Sequence, residues 1–144
     1  MTPDVNVLLA ASRTDHPHHA VAREWLEGAI SSSGNGTALT LMPMVLASFL
    51  RLVSSPKVFR RTTPIEDAVA FVDALLASPG VQLASLGPEW PTLRQICLDK
   101  QLGSNDVPDA WLAAVVYLGE HLVSFDRDFR KLLARGRFTL LAPA

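Results

Sequence analysis

The sequence predicts an α/β fold, a three-layer α/β/α sandwich with a mainly parallel sheet, and residues 1–144 read as a single domain. Three observations lead there. Short apolar runs alternate with longer stretches of helical periodicity in the order β, α, β, α, α, β, α, α, β, α, β. Nearly half of the 144 residues are hydrophobic (49%), enough for one sizeable core. Finally, Asp4 and Asp126 each close an apolar strand candidate, and Asp109 opens the helix leading to the second of them. In a parallel sheet that places acid at the carboxyl edge, where ligands gather.

Taken in order, residues 1–9 read as a short strand running into a helix, with Pro3, which has no N–H to donate, at an end of the pairing. Thr14-Asp15-His16-Pro17 reads as a helix start, and Val21, Ala22, Trp25, Leu26 and Ala29 form the apolar stripe behind it. His16, His18 and His19 lack the i, i+4 pair with a carboxylate that zinc requires, so they read as solvated. Residues 37–42 are β-branched and apolar, and Pro43 then starts a helix with Val45, Leu46, Phe49, Leu50 and Val53 inside. Thr63-Pro64-Ile65-Glu66 matches a capping box ahead of Ala68, Val69, Val72, Leu75 and Leu76. Residues 81–86 give a strand, and Trp90, Leu93, Ile96, Cys97 and Leu102 a helix, after which Gly103-Ser104 leads into an acidic stretch. There Pro108 suits a first helical turn, residues 122–125 a buried strand, Phe129, Leu132 and Leu133 a helix ending near Gly136, and residues 138–141 a last strand.

Acid in apolar surroundings demands an account. Asp106, Asp109, Asp126 and Asp128 flank one apolar helix and strand, and Asp4 supplies acid from elsewhere. Each Asp alone reads as a helix cap. Together they offer the oxygen ligands of a hard cation such as Mg²⁺, which keeps several waters.

Composition excludes several classes. The net charge of −1 gives no global basic field for nucleic acid, so such binding must rest on a local patch. Arg51, Lys57, Arg60 and Arg61 form the expected basic concentration, readable as a solvated loop or as a phosphate-contacting rim. Cys97 is the only cysteine, which rules out an internal disulfide and a Cys-rich zinc site. Residues 29–50 carry no charge but contain a Ser-Gly tract and Pro43, so no membrane span is expected, and the N-terminus lacks a signal-peptide pattern; the expected location is the cytoplasm.

At Asp4-Val5-Asn6-Val7-Leu8, at Val107-Pro108-Asp109-Ala110-Trp111-Leu112-Ala113-Ala114 and at Leu122-Val123-Ser124-Phe125-Asp126-Arg127-Asp128-Phe129, the sequence resembles a PIN-domain ribonuclease of the VapC toxin type. Phe49-Leu50-Arg51-Leu52-Val53 with Ser55-Pro56-Lys57-Val58-Phe59 resembles a helix and loop of a subgroup of these toxins. The resemblance implies an acidic pocket for Mg²⁺ or Mn²⁺, endonucleolytic cleavage of RNA, and a cognate VapB-type antitoxin. Asp4 and Asp109 would be the principal ligands, Asp126 would complete the pocket, and Asp128 would be a further candidate. Asn6 and Ser124 match polar positions that orient carboxylates or water. One departure stands out: Ser48 occupies a position where the family usually has Glu, so the pocket is less negative, with Asp106 as a possible replacement if it faces inward.

No side chain need be the nucleophile under that reading, and His121, at a strand start, has no evident partner. Two rivals remain: a metal-dependent phosphohydrolase acting on small molecules, and a non-catalytic PIN module binding RNA or protein. Apolar residues Val21, Trp25, Phe49, Val53, Phe59, Val69 and Val72 suggest a surface for a homodimer, with the core as their alternative place.

Overall fold

The structure, a computed structural model, describes residues 1–102 and 106–142. The strands are β1 (Thr2–Pro3), β2 (Leu39–Leu41), β3 (Val81–Leu83), β4 (Leu122–Ser124) and β5 (Phe138–Leu140). The helices are α1 (Val5–Ser12), α2 (His19–Ser33), α3 (Pro43–Val53), α4 (Ile65–Leu76), α5 (Trp90–Lys100) and α6 (Asp106–Val116). Every registered strand pairing is parallel: β1 with β4, β4 with β5, and β2 with β3. Backbone bonds from Thr40 N–H to the Met1 carbonyl (2.8 Å) and from the Met1 amino group to the Ala38 carbonyl (2.9 Å) join the two groups, giving the order β3-β2-β1-β4-β5. The chain winds outward one way from β1 and then the other way from β4, so the gap between the carboxyl ends of β1 and β4 is a topological switch point.

Helices flank this sheet in a three-layer α/β/α arrangement. α1 packs on α2 and α3, α3 on α4, and α5 on α6. The helix nearest the middle is α1, with Val7, Leu8, Leu9, Ala10 and Ala11 all buried. Such all-round burial explains why its sequence lacks a polar stripe. Pro3 closes β1, so its missing N–H costs the ladder nothing, and the Asp4 N–H resumes pairing to the Val123 carbonyl (2.8 Å). At Gly80, φ is +78° and a Cβ would stand 2.3 Å from the Ser33 carbonyl oxygen, so only glycine lets the end of α2 approach β3. Among the described residues no helix is long and apolar enough to cross a membrane.

Several expectations are corrected. α2 starts at His19, not at Pro17, because residues before it are claimed by Arg13, whose guanidinium binds both Asp15 carboxylate oxygens (3.0 and 2.8 Å). The capping box does not form: Thr63 Oγ1 accepts from Arg13 (3.1 Å), and α4 begins after Pro64 without a side-chain cap. The helix expected after Asp126 is a 3₁₀ turn over Arg127–Lys131, followed by a second over Arg135–Arg137. The triplet His16, His18, His19 is half-buried rather than solvated: His18 stacks on Phe125 with centroids 4.9 Å apart, and His19 Nδ1 meets the Ala10 carbonyl at 2.8 Å. His121 does have partners, Gly136 O (3.1 Å) and Thr139 Oγ1 (2.7 Å). Phe49, Val53 and Val72, invoked for a dimer surface, are core, because α3 and α4 bury those faces against each other and α1. The Gly103-Ser104 breaker and Asn105 lie outside the described residues.

Candidate active site

The acidic site is built at the switch point. β1 ends and α1 begins at Asp4, which is only 7% exposed and caps α1, its Oδ1 accepting from the Val5 N–H (2.6 Å). Its other oxygen, Oδ2, accepts from Ser124 Oγ (2.8 Å) at the end of β4. That hydroxyl also accepts from Asn6 Nδ2 (2.9 Å) and from the Asp126 N–H (2.9 Å), so its one donor and both lone pairs are used. Asn6 Oδ1 in turn accepts the Phe125 N–H (3.2 Å). Asn6 and Ser124 thus tie the ends of β1 and β4 together and orient Asp4. Asp126 opens the following turn, its Oδ1 accepting from the Asp128 N–H (2.8 Å).

The capping reading of Asp4 and Asp126 is therefore realised, and the two are still held at the same edge. Burial pushes the Asp4 carboxyl above its ordinary range, against the lowering effect of the Ser124 and Val5 bonds, and the Asp126 charge adds to the rise. Asp109, in the first turn of α6, is pushed up to about 6, first by burial and then by the charges of Asp4, Asp126, Asp106 and Asp128. Four other acids thus act on Asp109.

Asp4, Asp109 and Ser48 line one cleft of about 530 Å³, so the serine singled out in the sequence shares a cleft with the two acids. Asp109 also borders a second groove of about 280 Å³, shared with Asp106, Asp128, Lys100 and Lys131. Asp106 therefore faces the far side of Asp109 and does not replace a carboxylate at Ser48. Asp128 pairs with Lys131 Nζ at 3.0 Å on the surface. Arg51, Lys57, Arg60 and Arg61 are all exposed, form no ion pair among the described residues, and do not line the cleft. Arg51 stands one turn beyond Ser48 on α3, whereas Arg61 borders a separate groove with Arg13, which donates to its carbonyl (2.6 Å).

The PIN domain model matches residues 1–133. The chain belongs to the PIN-domain family. Ribonuclease VapC25 of Mycobacterium tuberculosis is 39% identical over 132 residues, 89% of each chain. The solved structure of Mycobacterium tuberculosis VapC20, a toxin that cleaves the sarcin-ricin loop, superposes with a TM-score of 0.64 at 16% identity, over 99% of this chain and 98% of that one. VapBC2 of Rickettsia felis, solved on a fragment of promoter DNA, superposes with a TM-score of 0.62 at 18% identity over 91% of each chain.

The donor set of this PIN domain fits a hard cation. All candidate ligands are carboxylate oxygens, and the mutual repulsion felt at Asp109 has no positive charge within the Asp4 cleft to relieve it. Among the described residues no three His, Cys, Asp or Glu side chains are gathered into a ready-made cage. Mg²⁺ binds through one or two carboxylates and retains water, so it does not require such a cage.

Two features went unread in the sequence. The first is a second basic concentration, Arg127, Arg130, Lys131, Arg135 and Arg137, broken only by Asp128; counting charges in eleven-residue windows would have found it. Arg130 and Arg135 border a groove of about 490 Å³ beside β5. The second is Glu89, buried and bonded to Trp111 Nε1 (2.9 Å) and the Gly87 N–H (2.6 Å), a pairing across 22 residues that no local pattern announces.

Proposed function

We propose that this VapC-type PIN ribonuclease is the toxin of a toxin–antitoxin pair, a Mg²⁺- or Mn²⁺-dependent endoribonuclease working as a single domain of residues 1–144 in the cytoplasm. The observation that carries the reading is the carboxylate pair Asp4 and Asp109 in one cleft at the switch point, with Asp126 tied to Asp4 through Ser124. Asp4 and Asp109 would hold the ion, Asp126 would complete the set, and Asp128 would join only by releasing Lys131. When bound, the ion supplies Lewis acidity to a water nucleophile and to the scissile phosphate. Asn6 and Ser124 keep the Asp4 oxygens aimed and leave that carboxylate no freedom to turn away. Ser48 contributes a hydroxyl in place of a charge, which leaves fewer negative ligands and a weaker hold on the ion. Arg51, Lys57, Arg60 and Arg61 are exposed cations free to meet the RNA backbone in a salt-sensitive way.

The VapBC2 complex among the structural neighbours supports a VapB-type antitoxin as partner. A cationic side chain from that partner would be drawn to the same acids. A homodimer remains part of the proposal, on the exposed apolar residues Val58, Ile65 and Val69 rather than on Phe49 or Val53.

Cleavage of single-stranded RNA followed against Mg²⁺ and Mn²⁺ concentration tests the reading. Wild type should cut only with the ion, and Asp4→Asn and Asp109→Asn should each lose at least 100-fold while keeping the same far-ultraviolet dichroism. Equal rates in both variants would sink it. RNA binding without cleavage at any ion concentration would favour the non-catalytic module, for which the serine at position 48 is the specific observation.

A further inference from the structure

The cleft that Asp4 and Asp109 line is otherwise largely apolar, with Trp111, Pro43, Pro108 and Met44 among its walls and Ser48 as its one further polar side chain. No Lys or Arg lines it. A phosphate meets two carboxylates there and no cationic side chain, so the cleft favours the uncharged part of a nucleic acid. Trp111 is half-buried and its one polar atom is already engaged, since Nε1 donates to Glu89 Oε1 at 2.9 Å. The Glu89 carboxylate is itself held by the Gly87 N–H (2.6 Å), and both bonds keep it below the ordinary glutamate range. A buried carboxylate thus fixes the orientation of an indole that lines the cleft.

We propose that this cleft is a nucleobase subsite: a base of the RNA next to the scissile phosphate stacks on Trp111, with Pro43 and Pro108 as the confining walls and Glu89 as a positioning residue. The proposal rests on the RNA-cleavage reading and deepens it. Continuity with the acidic pair decides the occupant. A phosphate brought to Asp4 and Asp109 by a cation leaves its own nucleoside within one backbone unit of the apolar walls, and unstacked RNA bases are commonly received on aromatic faces. About 530 Å³ lies in the range, roughly 300–1,000 Å³, of sites that enclose small ligands.

The test uses the full chain and an oligoribonucleotide whose cleavage position has been mapped, alongside the same oligonucleotide carrying an abasic residue on either side of that position. Trp111→Ala should raise KM about tenfold on the intact RNA, with a smaller change in kcat, and should have no effect on KM for one of the abasic substrates. Trp111→Phe, which keeps a stacking face and the packing of α6, should fall between, and Glu89→Ala should raise KM with the same dependence on the base. Equal losses on intact and abasic RNA in all three variants would overturn the subsite. A loss confined to affinity for an antitoxin peptide would overturn it as well and give the cleft to the partner protein. Failure of the cleavage reading is distinguishable, because wild type would then cut neither substrate. In that event, quenching of tryptophan fluorescence by the uncut oligoribonucleotide in Mg²⁺, compared between wild type and Trp111→Phe, still reads the cleft. Trp111-dependent quenching by intact but not abasic RNA would uphold the subsite, and its absence would end it.

Discussion

Asp4 and Asp109 line the same cleft and both carboxyls sit above their ordinary range, yet the fold treats them in opposite ways. Asp4 is buried, accepts from Val5 and Ser124, and is fixed by a network reaching from α1 to β4. Asp109 stands in the first turn of α6 with no hydrogen-bond partner among the described residues, between two grooves and facing four other acids. One carboxylate is held by hydrogen bonds, and the other is raised by burial and then by its acidic neighbours. On the proposed reading, one carboxylate would supply a fixed position and the other a negative charge for a cation to meet.

The largest expected effect on stability comes from breaking the hydrogen-bonded half. Ser124→Ala removes the donor to Asp4 Oδ2 and strands Asn6 Nδ2 and the Asp126 N–H, so RNA cleavage at fixed Mg²⁺ should fall about 10–100-fold. The same change should lower stability by about 1–3 kcal/mol in urea titration, since buried polar groups lose their partner. A variant with unchanged rate and midpoint would show that Asp4 needs no anchor.

Asp109→Asn should act with the opposite sign on stability while removing activity. With its folded pKa raised to about 6 from an ordinary value of 3.8, Asp109 keeps a proton in the fold that it gives up in the unfolded chain. Stability is therefore lost as pH rises through that window and stays lost above it. In EDTA the Asn variant should be more stable than wild type at pH 7.5 by on the order of 1 kcal/mol, a figure reduced for solvent screening of a half-exposed group, and the gap should close by pH 4. A gap that persists at pH 4 would assign the effect to packing instead.

Ser48→Glu sharpens the comparison by adding acid beside both. Mg²⁺ affinity measured by calorimetry should rise several-fold, because ligand charge tunes such sites. Equal or weaker binding would mean that residue 48 does not contribute to the ion.

The smallest effect belongs to Glu89, outside the acidic pair. Its carboxyl is held below the ordinary range by the Gly87 N–H and then by Trp111, so its stabilising contribution is present above that range and is lost as pH falls through the folded value. Glu89→Gln should lower the thermal midpoint by a few degrees at pH 7, with the two proteins converging in acid.

Much of this was legible in the sequence because it is local. Strand-length apolar runs, Pro43 and Pro108 in first helical turns, and acids directly after β1 and β4 are read within a few residues, and their order implies the parallel sheet and its acidic edge. The motif spacing around Asp4, Asp109 and Asp126 likewise carried the PIN resemblance. Local rules failed where a distant group outbid them. Arg13 took Thr63 from its cap and Asp15 from a helix start, and the turn after Asp126 closed as 3₁₀ rather than as a longer helix. Only the tertiary structure decided that Phe49 and Val53 are core rather than interface, that Asp106 lies across Asp109 from the cleft, and that Glu89 pins Trp111 beside the acids. Each depends on contacts between residues far apart in the chain, which packing selects among many locally acceptable alternatives.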